Sequence, residues 1–98
     1  MEKSRKNSSG TSFHGNVVET TINKLIDICG HPKEVGSGDD KVTHSWTMET
    51  DEGDVFTIYD WKEYRELDND EIIEWHIGGH SGRVTEKAEM ELLIEIMK

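Results

Sequence analysis

The run Ile77-Gly78-Gly79-His80-Ser81-Gly82-Arg83 combines three glycines with an imidazole, a hydroxyl and a guanidinium. It stands between a strand pattern and a helix pattern. Glycines let a backbone come close to a ligand, and the open N–H groups at a helix start favour anions. Ser81 could cap the helix or donate to a phosphate, and Arg83 adds a cation. The plainer alternative is a strand-to-helix turn with a serine cap, since glycine-rich turns are common punctuation. A second group, Tyr59-Asp60-Trp61-Lys62, closes another strand pattern. Alternation puts Tyr59 and Trp61 on one side and Asp60 and Lys62 on the other. Phe56 and Ile58 share the Asp60 side and read as core. The two rings then face away, where they could stack on a base while Lys62 reaches a phosphate. Burial against a helix or a partner chain is the alternative.

Other chemistries find less support. Of the five histidines, His76 and His80 are four apart, but the intervening Gly78-Gly79 argues against a helical ligand pair. No HExxH pattern, cysteine cluster or carboxylate set has metal-ligand spacing, so neither a metal nor a cofactor is expected. Cys29 is the only cysteine. No intrachain disulfide can form, which suits a reducing cytosol. Cys29 also lies in an apolar stripe, which reads as a packed thiol rather than a nucleophile. No nucleophile elbow, Walker loop or dinucleotide fingerprint is present. The residues therefore describe a binding protein rather than an enzyme.

Charge narrows the ligand. The net charge is −10 over 98 residues. Glu2 against Lys3, Arg5 and Lys6 makes residues 1–12 net +2, so residues 13–98 carry −12. Such a body repels long polyanions, and duplex nucleic acid is disfavoured. A small anionic ligand is still allowed where a few donors converge. No apolar run approaches the ~20 residues of a membrane helix. The start lacks the apolar stretch of a secretory signal, so a soluble intracellular protein is expected.

The elements that must carry these groups follow from periodicity. Residues 1–12 are polar and serine-rich and read as a disordered tail, with one domain over 13–98. Asn16 and Glu19 have the form of a capping box, and Val18, Ile22, Leu25 and Cys29 make a helical stripe ending at Gly30. Residues 35–40 form a loop. Lys41 to Thr50 alternates, with Val42, His44, Trp46 and Met48 on one face. Asp51 to Asp54 is a turn, and Val55 to Lys62 completes a hairpin. Glu71 to Ile77 is a further strand with Ile73, Trp75 and Ile77 on one face. Val84 to Met97 is a helix whose apolar arc is wide for so small a domain. That arc is either buried at the end of the chain's own core or faces a second subunit. The expected fold class is α+β: a three-stranded or four-stranded antiparallel sheet with an N-terminal and a C-terminal helix packed on it. A core this thin makes self-association an expectation as well.

Three segments taken together carry a resemblance: Asp40-Lys41-Val42-Thr43-His44-Ser45-Trp46, Thr57-Ile58-Tyr59-Asp60-Trp61-Lys62, and Trp75-His76-Ile77-Gly78-Gly79-His80-Ser81. The start, Phe13-His14-Gly15-Asn16-Val17-Val18, fits as well. Over about residues 11–82 the chain resembles small bacteriophage proteins of the anti-CBASS sponge family, which counter cyclic-oligonucleotide defence signalling. The resemblance implies a homo-oligomer, a tetramer, in the cytoplasm of the infected bacterial host. It implies capture of cyclic dinucleotides such as 3′,3′-cGAMP without cleavage. Tyr59, Trp61, Lys62, Gly78, Gly79, His80 and Ser81 would supply the contacts, with Ser12, Phe13, His14 and Lys41 as additions. Two alternatives stand beside it. The acidity suits a protein-binding inhibitor or nucleic-acid mimic, and His76 with His80 would suit a metal-dependent phosphodiesterase.

Overall fold

The computed structural model describes residues 1–6, 10–34, 44–61 and 68–98. The fold is α+β. Strands β1 (Glu2–Lys3), β2 (Ser12–Thr20), β3 (Lys33–Glu34), β4 (His44–Glu49), β5 (Val55–Tyr59) and β6 (Ile73–Gly79) form one antiparallel sheet. Its order is β1-β4-β5-β6-β2, with β3 also paired to β4. Helices α1 (Ile22–Cys29) and α2 (Gly82–Ile96) both lie on one face of the sheet, and α2 crosses β2, β6 and β5. No helix among the described residues is long and apolar enough to cross a membrane.

The sheet has six strands rather than three or four, and the differences have physical causes. The expected helix from Asn16 begins only at Ile22. Residues 12–20 form β2 instead, where Val17, Val18 and Thr20 are β-branched and fit a pleated surface. The four-residue step from Val18 to Ile22 belongs to two elements. Thr21 separates them as N-cap, its hydroxyl accepting from the Lys24 N–H at 3.0 Å. Asn16 does not cap α1. Its side chain accepts from Thr85 Oγ1 at 2.6 Å and donates to Glu89, tying β2 to α2.

The expected tail is also partly structured. Glu2 and Lys3 pair with Glu49 and Met48 at the sheet edge. Lys6 Nζ donates to the Gly53 carbonyl at 2.8 Å and pairs with Glu49. An acidic turn thus holds a basic start, an attraction that periodicity does not register. The loop expected over 35–40 lies outside the described residues, as do Val42 and Thr43.

The core lies between the sheet and the helices. Trp46 and Trp75 meet edge to face at 5.4 Å, surrounded by Leu25, Phe56, Ile58, Ile77 and Leu92. Each indole N–H has an acceptor. Trp75 donates to the Thr20 carbonyl at 3.0 Å, and Trp46 donates to the Gly30 carbonyl at 2.7 Å. Gly30 ends α1 with φ +84°, a conformation glycine adopts at little cost, and its N–H donates to the Ile26 carbonyl. Asp60 is fully buried at the end of β5. It accepts from the His44 N–H at 2.9 Å and meets His44 Nδ1 at 3.2 Å, closing the β4–β5 ladder.

Candidate functional site

Because α1 and α2 lie on one face, the other face of the sheet carries side chains that, among the described residues, no helix touches. Alternation places Phe13 of β2, His76 and Gly78 of β6, and Thr57 and Tyr59 of β5 on that face. Trp61, just past β5, joins them. His76 stacks on Phe13 with centroids 4.2 Å apart and planes 17° apart. Trp61 also stacks with His76, its centroid 6.0 Å away and its plane 19° from parallel. Tyr59, the cross-strand partner of His76, meets it edge-on at 5.6 Å and meets Trp61 at 6.3 Å. Phe13 and Trp61 remain 44% and 41% exposed, although both are large and apolar. The result is a ringed surface with three nearly parallel planes and a fourth ring at their edge.

A neutral imidazole suits the stack. Burial holds the His76 imidazole below its ordinary pKa, with Glu74, 3.9 Å away, acting in the opposite direction. Burial also raises the Tyr59 phenol, which stays protonated at neutral pH as a donor.

Gly78 is opposite Phe13 in register, and Gly79 is opposite Ser12. Here the sequence reading needs correction. Gly78 and Gly79 are not part of a loop cradle at a helix start. They extend β6 and are paired to β2 on one side and β5 on the other. Their lack of a side chain serves close packing. A Cβ on Gly78 would lie 2.6 Å from Thr57 Oγ1, and one on Gly79 would lie 2.9 Å from Thr85 Cγ2. Gly79 therefore faces α2, while Gly78 forms the floor of the ringed face. The strand expected over Glu71–Ile77 is shifted accordingly to Ile73–Gly79.

The remaining expected contacts divide. Ser81 acts as N-cap of α2, its hydroxyl accepting from the Val84 N–H at 3.3 Å. His80 is exposed at the bend beside it, packed near Gly10. His14 Nε2 lies 3.1 Å from the Gly79 carbonyl and 3.4 Å from Ser12 Oγ, at the rim of β2. Arg83 is exposed on α2, which covers the opposite face of the sheet. Lys41 and Lys62 lie outside the described residues. The structure thus gathers Phe13, Tyr59, Trp61 and Gly78 on the uncovered face, whereas Ser12, paired with Gly79, and His14, which contacts Ser12 Oγ, fall on the α2 side at the edge of β2.

His76 was weighed in the sequence only as a metal ligand, with His80. The structure makes it the centre of the ring stack. The signal was available, since alternation from the core residues Trp75 and Ile77 turns His76 outward. Among the described residues, no group of three His, Cys, Asp or Glu is placed to hold a metal ion. Cys29 is buried, and burial pushes its thiol up to about 12. The chain matches no protein-family model and no curated protein sequence.

Proposed function

We propose that this chain is a bacteriophage immune-evasion sponge that captures a cyclic dinucleotide on the ringed sheet face and holds it intact. The observation supporting this is the set of near-parallel rings, Phe13, His76 and Trp61, on a face that no helix covers among the described residues. Every base offers a flat π surface, and stacking on an aromatic side chain contributes roughly 1–3 kcal/mol per base. A neutral imidazole stacked with two apolar rings extends that surface without adding a charge. The Tyr59 phenol offers a donor beside it.

The acidic body opposes an anionic guest, but only at range. Exposed charges are largely screened beyond ~10 Å at 0.1 M salt, whereas stacking acts in contact. Lys41 and Lys62, the cations the sequence offers for the phosphates, remain part of the proposal, as does assembly into a homo-oligomer.

The test is a thermal-shift screen against cyclic di- and trinucleotides, followed by mass determination of the ligand released on denaturation. A ligand at 100 times its Kd should add about 2.7 kcal/mol to the folded state. Intact cyclic ligand is the expected product. Recovery of linear dinucleotide, or no shift with any cyclic nucleotide, would overturn the reading.

A further inference from the structure

Strand β2 carries two more residues than the stretch of β6 it pairs with. Ser12 and Phe13 lie opposite Gly79 and Gly78, and Val17 lies opposite His76. Four steps along β2, from Phe13 to Val17, thus face two steps along β6. Residues 14–16 take up the difference as a bulge across from the single residue Ile77. Bulges bend a strand, re-aim its side chains and often stand beside functional sites.

This bulge is anchored on both flanks. At its middle, Gly15 has φ +96°. A Cβ there would meet no heavy atom within 4 Å among the described residues, so conformation rather than space calls for glycine. On one side His14 Nε2 donates to the Gly79 carbonyl at 3.1 Å, since a carbonyl only accepts. On the other, Asn16 Oδ1 accepts from Oγ1 of the fully buried Thr85 at 2.6 Å, and Asn16 Nδ2 donates to Glu89 at 3.3 Å. One flank is therefore held by β6 and the other by α2.

Without the two extra residues the ring stack could not form. Continued unbroken, the Val17–His76 register would put Gly15 opposite Gly78 and Phe13 opposite His80. His80 is four residues from His76, ~13 Å along a strand at ~3.3 Å per residue. Phe13 would then lie past the end of β6 at Gly79 and out of stacking range. With the bulge it lies opposite Gly78, only ~7 Å along, and its ring meets His76 with centroids 4.2 Å apart.

We propose that the bulge at residues 14–16 positions Phe13 in the ringed site, with Gly15 and Asn16 as its positioning residues. The proposal rests on the ringed face being the nucleotide site. Asn16 turns towards α2 and Gly15 has no side chain, so both act through Phe13 rather than on the ligand.

The full chain gives two readouts. Proton NMR of the His76 ring needs no ligand: the stacked Phe13 ring should shift it upfield relative to Phe13→Ala. Titration with a cyclic dinucleotide reads the site itself. Gly15→Val introduces a β-branched residue that avoids positive φ and should favour the unbroken register. It should lose the upfield shift and weaken binding by roughly 5- to 150-fold, as Phe13→Ala does. Adding Phe13→Ala to Gly15→Val should weaken binding no further. Asn16→Ala frees one flank and should lower both readouts in part. Deleting His14 and Gly15 removes both extra residues yet leaves Phe13 opposite Gly78, so shift and affinity should stay. A Gly15→Val chain that keeps both readouts overturns the proposal, as does a folded deletion variant that loses the shift. Unchanged readouts in Asn16→Ala remove Asn16 from the role, and this variant and the deletion decide the matter if Gly15→Val does not fold. A bulge that only blunts the outer edge of β2 would leave the His76 shift unmoved in every variant. If the wild type binds no cyclic nucleotide, the functional reading fails, while the His76 shift still decides what places Phe13.

Discussion

Replacing Gly79 by alanine separates a glycine needed for packing from a glycine needed by a ligand. An added Cβ would sit 2.9 Å from Thr85 Cγ2 and 3.2 Å from Val84 Cγ1, both on the first turn of α2. The nearest atom is a methyl on a buried side chain whose rotamer is held. Thr85 Oγ1 donates to Asn16 Oδ1 at 2.6 Å and approaches the Gly82 carbonyl at 3.0 Å, so the methyl cannot rotate away cheaply. Overpacking of this kind typically costs roughly 1–3 kcal/mol. For a domain of this size that corresponds to a melting temperature lower by roughly 5–20 °C. Thr85→Ser removes only the offending methyl and keeps the hydroxyl bonds. In the double variant the two losses should therefore fail to add, with coupling above ~0.5 kcal/mol. The remaining Val84 contact keeps the recovery incomplete. Circular dichroism melts give the stabilities, and titration with a cyclic dinucleotide at a temperature where all variants are folded gives the affinities. Affinity should be unchanged in folded Gly79→Ala. An unaltered melting temperature with lost binding would return Gly79 to the ligand and refute the packing account.

Three other outcomes follow from the same geometry. Phe13→Ala and Trp61→Ala should each weaken cyclic-dinucleotide binding by roughly 5- to 150-fold, the equivalent of one stacked base, and fluorescence titration measures it. Unchanged affinity in both folded variants removes the rings from the site. The depressed His76 pKa means that the unfolded chain binds its proton more readily. Stability should therefore rise with pH through the window just below 6.5 and level off above it. Urea unfolding between about pH 5 and pH 8 reads this, and His76→Phe, which keeps a flat ring, should reduce the slope. Equal slopes in the two proteins would exclude His76 as the source. Cys29, with its thiol pushed up to about 12, should react with a disulfide reagent at pH 8 far more slowly in the folded chain than in urea. Equal rates would contradict its burial.

Strands with one wet face were legible, because alternation is a local property. Trp46 and Met48, Phe56 and Ile58, and Trp75 and Ile77 are all buried, and the outward placing of Tyr59 and Trp61 follows from the same period of two. The cap at Ser81 and the stop at Gly30 were also readable, since each is a short-range signal with its own backbone chemistry. Other features depended on partners far along the chain. Val18 and Ile22 satisfy a helical step equally well as neighbours in two elements. Nothing local shows that Val17 will be drawn to His76, about sixty residues away. The pairing of Glu2 and Lys3 with β4 likewise needs the whole sheet. Gly78 and Gly79 were read as punctuation because glycine usually breaks a strand, and only the facing Thr57 and Thr85 reveal why the strand continues through them.

That last point bears on how the ringed face is made. A side chain on Gly78 would occupy the surface directly across from Phe13, its partner on β2. With that position empty, the Phe13 ring leans over the strand and meets His76, two residues earlier on the same face. Such a diagonal contact is within reach of an aromatic side chain. The Phe13–His76 stack, with centroids 4.2 Å apart, thus lies beside a strand position that carries no side chain. Gly78→Ala adds a Cβ 2.6 Å from Thr57 Oγ1, the free end of a rotatable side chain, and 3.4 Å from Tyr59 Cε1. Its stability loss should be smaller than that of Gly79→Ala, and the ring it meets is that of Tyr59. The two neighbouring glycines thus serve opposite faces of one strand: Gly79 lets the helix close on the sheet, and Gly78 leaves room for Thr57 and the Tyr59 ring.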